Sequence, residues 1–309
     1  MRAAVYDAFT DTPEAPGALE VREVDEPRLA PASVLVEVRA AGVNPVDWKV
    51  MTGGLDGLIP AVFPVIPGWD VAGVVVAVGL DTPDFAVGDE VMAYARKDVV
   101  QSGTFAERVA VPVSAVARKP AALSWEQAGG LPLAGGTALR TLDRLSVAAG
   151  DTVLVHAAAG GVGLMAVQIA AARGARVIGT ASERNHEHLR GLGAEPVAYG
   201  DGLVDAVRAL APDGVDAVAD FAGGQLDTTL AVLRRGGRHA SIVDPDAPAH
   251  GGSRVWVRPD GRETARLGEL AAAGKLDVEV AGTYGLDQVS EAFAASKDGH
   301  VRGKLVVVP

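Results

Sequence analysis

Cysteine is absent from the 309 residues, which removes disulfide staples, thiolate nucleophiles, iron–sulfur clusters and every zinc site built on sulfur. Redox chemistry in this chain therefore needs a bound cofactor. Long runs of one charge are absent too. The 28 Lys and Arg against 39 Asp and Glu leave a formal charge of −11, with no basic stripe to neutralise the phosphates of a nucleic acid. Nucleic acid is excluded as a partner on that ground. The sequence has no uninterrupted membrane-length apolar run: residues 153–172 carry His156, Gln168 and three glycines at a turn, the pattern of a buried strand followed by a buried helix. The apolar start of the chain is broken by Asp7 before it reaches the length of a signal-peptide core. A cytoplasmic protein without a membrane partner is the expectation.

What is present is enough for a stable globular protein. Hydrophobic residues make up 49% of the chain, and a length of this order buries roughly three quarters of the unfolded surface. The first 120 residues alternate short apolar runs with turn residues, as in SVLVEVRAAGV (33–43), VAGVVVAVG (71–79) and GTFAERVAVP (103–112), and predict a mostly β half. After Pro120 the texture becomes βα alternation. Strands are predicted at 152–156, 175–180, 196–199, 215–221, 237–243 and 253–257, and helices near 161–173, 184–192, 203–211, 225–234 and 262–273. Six strands with five crossovers describe a doubly wound parallel sheet. Residues 277–309 return to β texture, with one helix (287–297) and a closing strand near 303–308 that is a candidate to rejoin the N-terminal half.

The most informative segment is DTVLVHAAAGGVG (151–163), where a strand runs into small residues and then a helix. Gly160 and Gly163 suit a tight turn and close helix–strand packing, and the free N–H groups of residues 161–163 at the helix start point at a pyrophosphate. The first glycine of the GxGxxG spacing is Ala158; Gly161 and Val162 complete the loop. About 20 residues on, the strand RVIGT ends in Ala181-Ser182-Glu183-Arg184, without the acid that selects NAD. Ala181 leaves room for a 2′-phosphate, and Ser182 and Arg184 supply a hydroxyl and a guanidinium suited to it. This reading favours NADPH. Ser182 as a simple helix cap and Arg184 as a solvated side chain are the structural alternatives. Tyr199, at the predicted end of the third strand, is a candidate to stack beside the adenine or an ordinary strand-end tyrosine.

Together with AAGVNPVDWK (40–49), FPVIPGWDVAGVVVAVG (63–79), FAVGDEVMAY (85–94), LPLAGGTALRTL (131–142) and GHVRGKLVVVP (299–309), these segments resemble the medium-chain dehydrogenase/reductase superfamily over the whole chain. The likeness is strongest to its zinc-free quinone oxidoreductase branch, with the zeta-crystallin-like and alkenal/enone reductase proteins. The resemblance implies an α/β protein: a GroES-like, mostly β catalytic domain from residues 1–121 and 277–309, and a Rossmann domain over 122–276 binding NADPH in the cleft. It also implies a homodimer joined through the edge strand near residues 253–257.

By the same match, Asn44 stands where the zinc alcohol dehydrogenases have a cysteine ligand, and Gly68-Trp69-Asp70 where they have Gly-His-Glu, so no metal ligands are expected. Without a Lewis acid, acceptors that are already electrophilic are implied, namely quinones and α,β-unsaturated carbonyls. Asn44, Lys49 and Thr137 carry over as catalytic positions. Asn44 would bond the cofactor ribose or the acceptor oxygen, or serve only as a turn former before Pro45. Lys49 would stabilise an enolate oxygen, or be a solvated loop lysine. Thr137 would lie by the nicotinamide, or bond its own helix turn. Trp48 and Trp69 are pocket or core candidates, with core favoured for Trp69. No side chain stands out as a general acid. An enoyl-thioester reductase and an NADPH-binding redox sensor with little catalysis are the competing functions.

Overall fold

In the computed structural model, which describes all 309 residues, SVLVEVRAAGV is one eleven-residue strand, Ser33–Val43, buried at nearly every position. Its valines fit the pleated surface between neighbours. It pairs antiparallel with Asp70–Val78 on one side, and on the other with Arg108–Pro112 and, further along, Lys304–Val307. The sheet continues outward in the order Val280–Tyr284, Lys304–Val307, Ser33–Val43, Asp70–Val78, Glu90–Tyr94 and Val116–Arg118. The closing strand thus rejoins the N-terminal half. These elements belong to the first of two compact units, Met1–Leu133 with Arg258–Gly274 and Val278–Pro309.

Two helices of this unit lie outside the boundaries expected for it. Trp125–Gly130, opened by Ser124, whose hydroxyl accepts from the Gln127 N–H, packs on Ser33–Val43 so closely that a Cβ at Gly129 would come within 2.9 Å of Ala40. Gly261–Ala272 lies on the strands Glu90–Tyr94 and Val116–Arg118: a Cβ at Gly261 would meet the Val116 carbonyl at 2.4 Å. The compact units divide at 133/134, 257/258, 274/275 and 277/278. A helical period says that one face is buried but not which sheet buries it.

The second unit, Ala134–Val257 with Lys275–Asp277, is built on six parallel strands in the order Ala194–Val197, Arg176–Thr180, Thr152–His156, Val215–Asp220, Leu233–Ser241 and Ser253–Arg254. This is the doubly wound order, with its switch point between Thr152–His156 and Val215–Asp220. Leu154, Ile178, Val197, Leu203, Val207, Val218 and Val232 form one apolar cluster against the sheet. The third strand ends at Val197, so Tyr199 lies beyond it and is 63% exposed. The sixth strand is only two residues long.

Candidate active site

In the second unit the buried strand Thr152–His156 enters the loop 157–160 and emerges as the helix Gly161–Ala172. The neighbouring strand fixes the loop: Thr180 accepts the Ala157 N–H through its hydroxyl (3.1 Å) and the Ala158 N–H through its carbonyl (2.9 Å). A Cβ at Gly163 would stand 2.1 Å from the Ala157 carbonyl, so only glycine lets the helix approach the loop this closely. Ala158, in the place of the fingerprint's first glycine, is wholly buried, and a Cβ on the facing Gly179 would lie 2.8 Å from its methyl. The glycine missing from the loop is compensated by one on the adjacent strand. At Gly160 no side chain caps the helix, and a Cβ there would meet nothing closer than the Ala157 carbonyl at 3.4 Å. An uncapped helix start beside open space, reached over a tight glycine turn, fits the pyrophosphate of a dinucleotide.

At the end of Arg176–Thr180, Ala181 is buried and Ser182 precedes a short 3₁₀ turn, Glu183–Asn185. The Asn185 amide donates to the Ser182 hydroxyl (3.1 Å), the His186 ring contacts the Ala181 carbonyl (3.2 Å), and Arg184 is exposed. Asn185 and His186 add polar groups to this strand end that the sequence pattern did not single out. Thr137 is buried on the helix Pro132–Arg144, where its carbonyl accepts from the Thr141 hydroxyl at 2.8 Å. A polar row crosses the carboxyl edge of the sheet in register, His156 beside Asp220 beside Ser241. Asp220 accepts from the Ser241 hydroxyl (2.7 Å) and from the N–H groups of Ala222 and Gly223, while the Ser241 oxygen accepts the N–H groups of Val243 and Asp244. The row thereby shapes the loops after two strands. Burial holds the His156 pKa down, with Asp220 pulling the other way.

In the first unit Asn44 begins the helix Pro45–Met51, the proline occupying the first position, where no N–H is required. The Asn44 backbone N–H donates to Asp47 (2.8 Å); its side-chain amide donates to Asp70 (2.9 Å) and to the Gly42 carbonyl (3.3 Å); its Oδ1 accepts from Lys304 (2.6 Å). Lys304 also donates to the Val43 carbonyl (2.8 Å), and Asp70 accepts the Leu133 N–H (2.8 Å). Because an ammonium can only donate, the lysine fixes which end of the Asn44 amide faces it. Burial raises both carboxyls, Asp47 to about 8 and Asp70 to about 6. It lowers Lys304, against the pull of Asp70 and Asp47. Asp47, Asp70 and Lys304 went unassigned in the sequence, although a lone lysine opening the apolar run LVVV was a usable signal.

Lys49 shares the helix with Asn44 but is exposed, its ammonium 5.4 Å from the centre of the Trp48 ring. The Trp48 indole donates to Ser296 (3.2 Å). Trp69 is core, 6% exposed, with its ring 6.2 Å from that of Tyr94.

Two family models match, the alcohol dehydrogenase GroES-like domain over residues 30–121 and the zinc-binding dehydrogenase over 192–307. An NADPH-dependent alkenal/one oxidoreductase, chloroplastic, of Arabidopsis thaliana is 34% identical, over 100% of this chain and 80% of its own length. The chain belongs to the quinone oxidoreductase and alkenal/one reductase branch of the medium-chain dehydrogenase/reductase superfamily. The quinone oxidoreductase structure from Coxiella burnetii superposes on this superfamily member with a TM-score of 0.88 at 32% identity, covering 100% of this chain and 99% of the other. A mycobacterial structure complexed with NADPH gives 0.86 at 27% identity, covering 100% of both chains. As a medium-chain dehydrogenase/reductase of this branch, the protein is an NAD(P)-binding oxidoreductase. No group of three or more His, Asp or Glu side chains comes together that could hold a metal ion, and no helix is long and apolar enough to cross a membrane.

Proposed function

We propose that the protein is an NADPH-dependent reductase of quinones and α,β-unsaturated carbonyl compounds. The uncapped, glycine-lined start of Gly161–Ala172, followed at the next strand end by Ala181 in place of an acid, is the observation that carries this reading. When bound, the coenzyme supplies a hydride, which reaches the quinone or the β-carbon of the enone while water supplies the proton.

The chain's own residues bind and orient. The amides of residues 161–163 hold the pyrophosphate, and the Ser182 hydroxyl and Arg184 guanidinium take the 2′-phosphate. Tyr199 flanks the adenine, and Thr137 serves the nicotinamide end. Both donors of the Asn44 amide are engaged internally, whereas Oδ1 has a second lone pair. Accepting from a ribose hydroxyl therefore keeps every internal bond, and donating to an acceptor oxygen breaks one. Lys49, exposed and without an ion pair, is the free cation for the charge that grows on the acceptor oxygen.

The test is NADPH and NADH consumption against a panel of benzoquinones, simple enones, an enoyl thioester and alcohols, alongside coenzyme titration. Enones or quinones should be reduced with NADPH preferred. NADPH binding without turnover would make the protein a sensor, thioesters alone would make it an enoyl-thioester reductase, and alcohol oxidation with inert enones would overturn the reading altogether. A homodimer belongs to the same proposal. The edge strand Ser253–Arg254 pairs only with Leu233–Ser241, and Trp256 beside it is 40% exposed, an edge that is normally covered or paired. Light scattering at micromolar concentration should give twice the chain mass; a monomer refutes it.

A further inference from the structure

The chain carries a net charge of −11, and many of its cations are paired with carboxylates. Arg96 and Lys97, which follow the strand Glu90–Tyr94, are not. Both are partly buried. The Arg96 guanidinium lies beside the Tyr94 hydroxyl and donates to the Lys97 carbonyl at 3.4 Å, while its Nε is buried with no hydrogen-bond partner. Lys97 makes a single bond, to the Ser102 carbonyl at 2.9 Å, and burial lowers its pKa. The carboxylates nearby do not neutralise them. Asp70 is held by Asn44 and the Leu133 N–H, Asp47 by the Asn44 N–H, and Asp98 is exposed. Two adjacent cations that no carboxylate neutralises leave charge and donors that a bound oxyanion can meet.

The mount is rigid. The Ala95 N–H donates to the Trp69 carbonyl at 2.6 Å, the Gly103 and Thr104 N–H groups donate to Ile66 and Gly68, and the Lys97–Ser102 bond closes the loop between them. A Cβ at Gly103 would come within about 2.5 Å of three carbonyls, those of Ile66, Pro67 and Gly68, so the loop is locked onto the segment that carries Trp69 and Asp70.

We propose that Arg96 and Lys97 form an oxyanion-binding corner that selects acceptors carrying a carboxylate beside their conjugated carbonyl. The proposal rests on the reductase reading above. A 4-oxo-2-enoate is the simplest such acceptor: hydride from NADPH adds to C2, the alkene electron pair shifts to form the enolate at the ketone oxygen, and a proton from water returns to C3, giving the 4-oxo acid and NADP⁺. The carboxylate takes no part in the bond changes and serves to hold the alkene.

The experiment compares 4-oxopent-2-enoate with 3-penten-2-one as acceptors, and calorimetric binding of levulinate with that of inorganic phosphate, in the parent, Arg96→Leu, Arg96→Lys and Lys97→Met proteins. The parent should show a KM at least tenfold lower for the charged acceptor. That advantage should fall at least tenfold in Arg96→Leu and Lys97→Met, weaken with added salt, and recover in part in Arg96→Lys. A parent without the preference, or variants that keep it, overturns the proposal. Tight phosphate binding with no KM advantage reduces the corner to a general anion site and also overturns it. If neither ketone is reduced, the reductase reading fails separately, and levulinate decides the corner: binding weakened in the variants supports it, and absence of binding refutes it. Should Arg96→Leu fail to fold, Lys97→Met and the salt dependence decide between the same two outcomes.

Discussion

The glycine loop of the second unit and the Asn44 network of the first treat their polar groups in opposite ways. In the second, the start of Gly161–Ala172 leaves its amides uncapped and its surroundings open. In the first, both donors of the Asn44 side chain are engaged, by Asp70 and the Gly42 carbonyl, and its Oδ1 already accepts from Lys304. Unmet hydrogen-bonding capacity marks a place where a ligand completes the structure, whereas saturated capacity marks a part that holds other groups in position. On this view the glycine loop is a place for a ligand, and the Asn44 network keeps the turn at residues 42–47 in a single shape.

Removing the cation from the closed network should have the largest effect. Lys304→Met leaves Asn44 Oδ1 without its donor and the buried Asp70 carboxylate without its counter-charge, and should cost about 3–5 kcal/mol of stability, read by urea unfolding. A loss below about 1 kcal/mol would show the network to be incidental. The same network should leave a signature in pH. Asp47 is raised in the folded state to about 8, so the native protein holds a proton that the unfolded chain releases near pH 4. That contribution is full below the unfolded pKa and is lost as pH rises toward the folded value. The melting temperature of the parent should therefore fall relative to that of Asp47→Asn between about pH 4 and pH 8, and parallel curves would contradict the shift.

The residues proposed to meet the acceptor and the coenzyme are tested at smaller scale. Lys49→Ala should depress turnover on the order of a hundredfold with little change in NADPH affinity; equal losses in both would make Lys49 a binding residue instead. Arg184→Ala should narrow the preference for NADPH over NADH by about tenfold, measured by titrating both coenzymes, and an unchanged ratio would reassign the 2′-phosphate to Ser182, Asn185 and His186.

Much of the second unit was legible because its information is local. The βα alternation, the loop at 157–163 and the absent acid at Ala181 can each be read from a few neighbouring residues. Tyr199 was misplaced at a strand end because AEPVAY has no sharp apolar boundary, and the strand stops at Val197. In the first unit the strands were legible but their partners were not. Asn44 could be read as a site residue from its motif, yet its engagement by Lys304, 260 positions away, has no local trace. The helix Gly261–Ala272 shows the same limit: its period was plain, and the sheet it covers was not.

The position of Lys304–Val307 against Ser33–Val43 also sets an order of assembly. During synthesis, residues 134–257 emerge as a nearly continuous block that contains all six parallel strands, so this block can fold while translation continues. The first unit cannot. Its central strand is made early but lacks one neighbour, and Asn44 lacks its lysine, until the chain has run past residue 304. Between the emergence of residue 257 and that of residue 304 the nascent protein thus holds a complete set of parallel strands together with an unsealed sheet edge, and that edge is where chaperones would be expected to attend it.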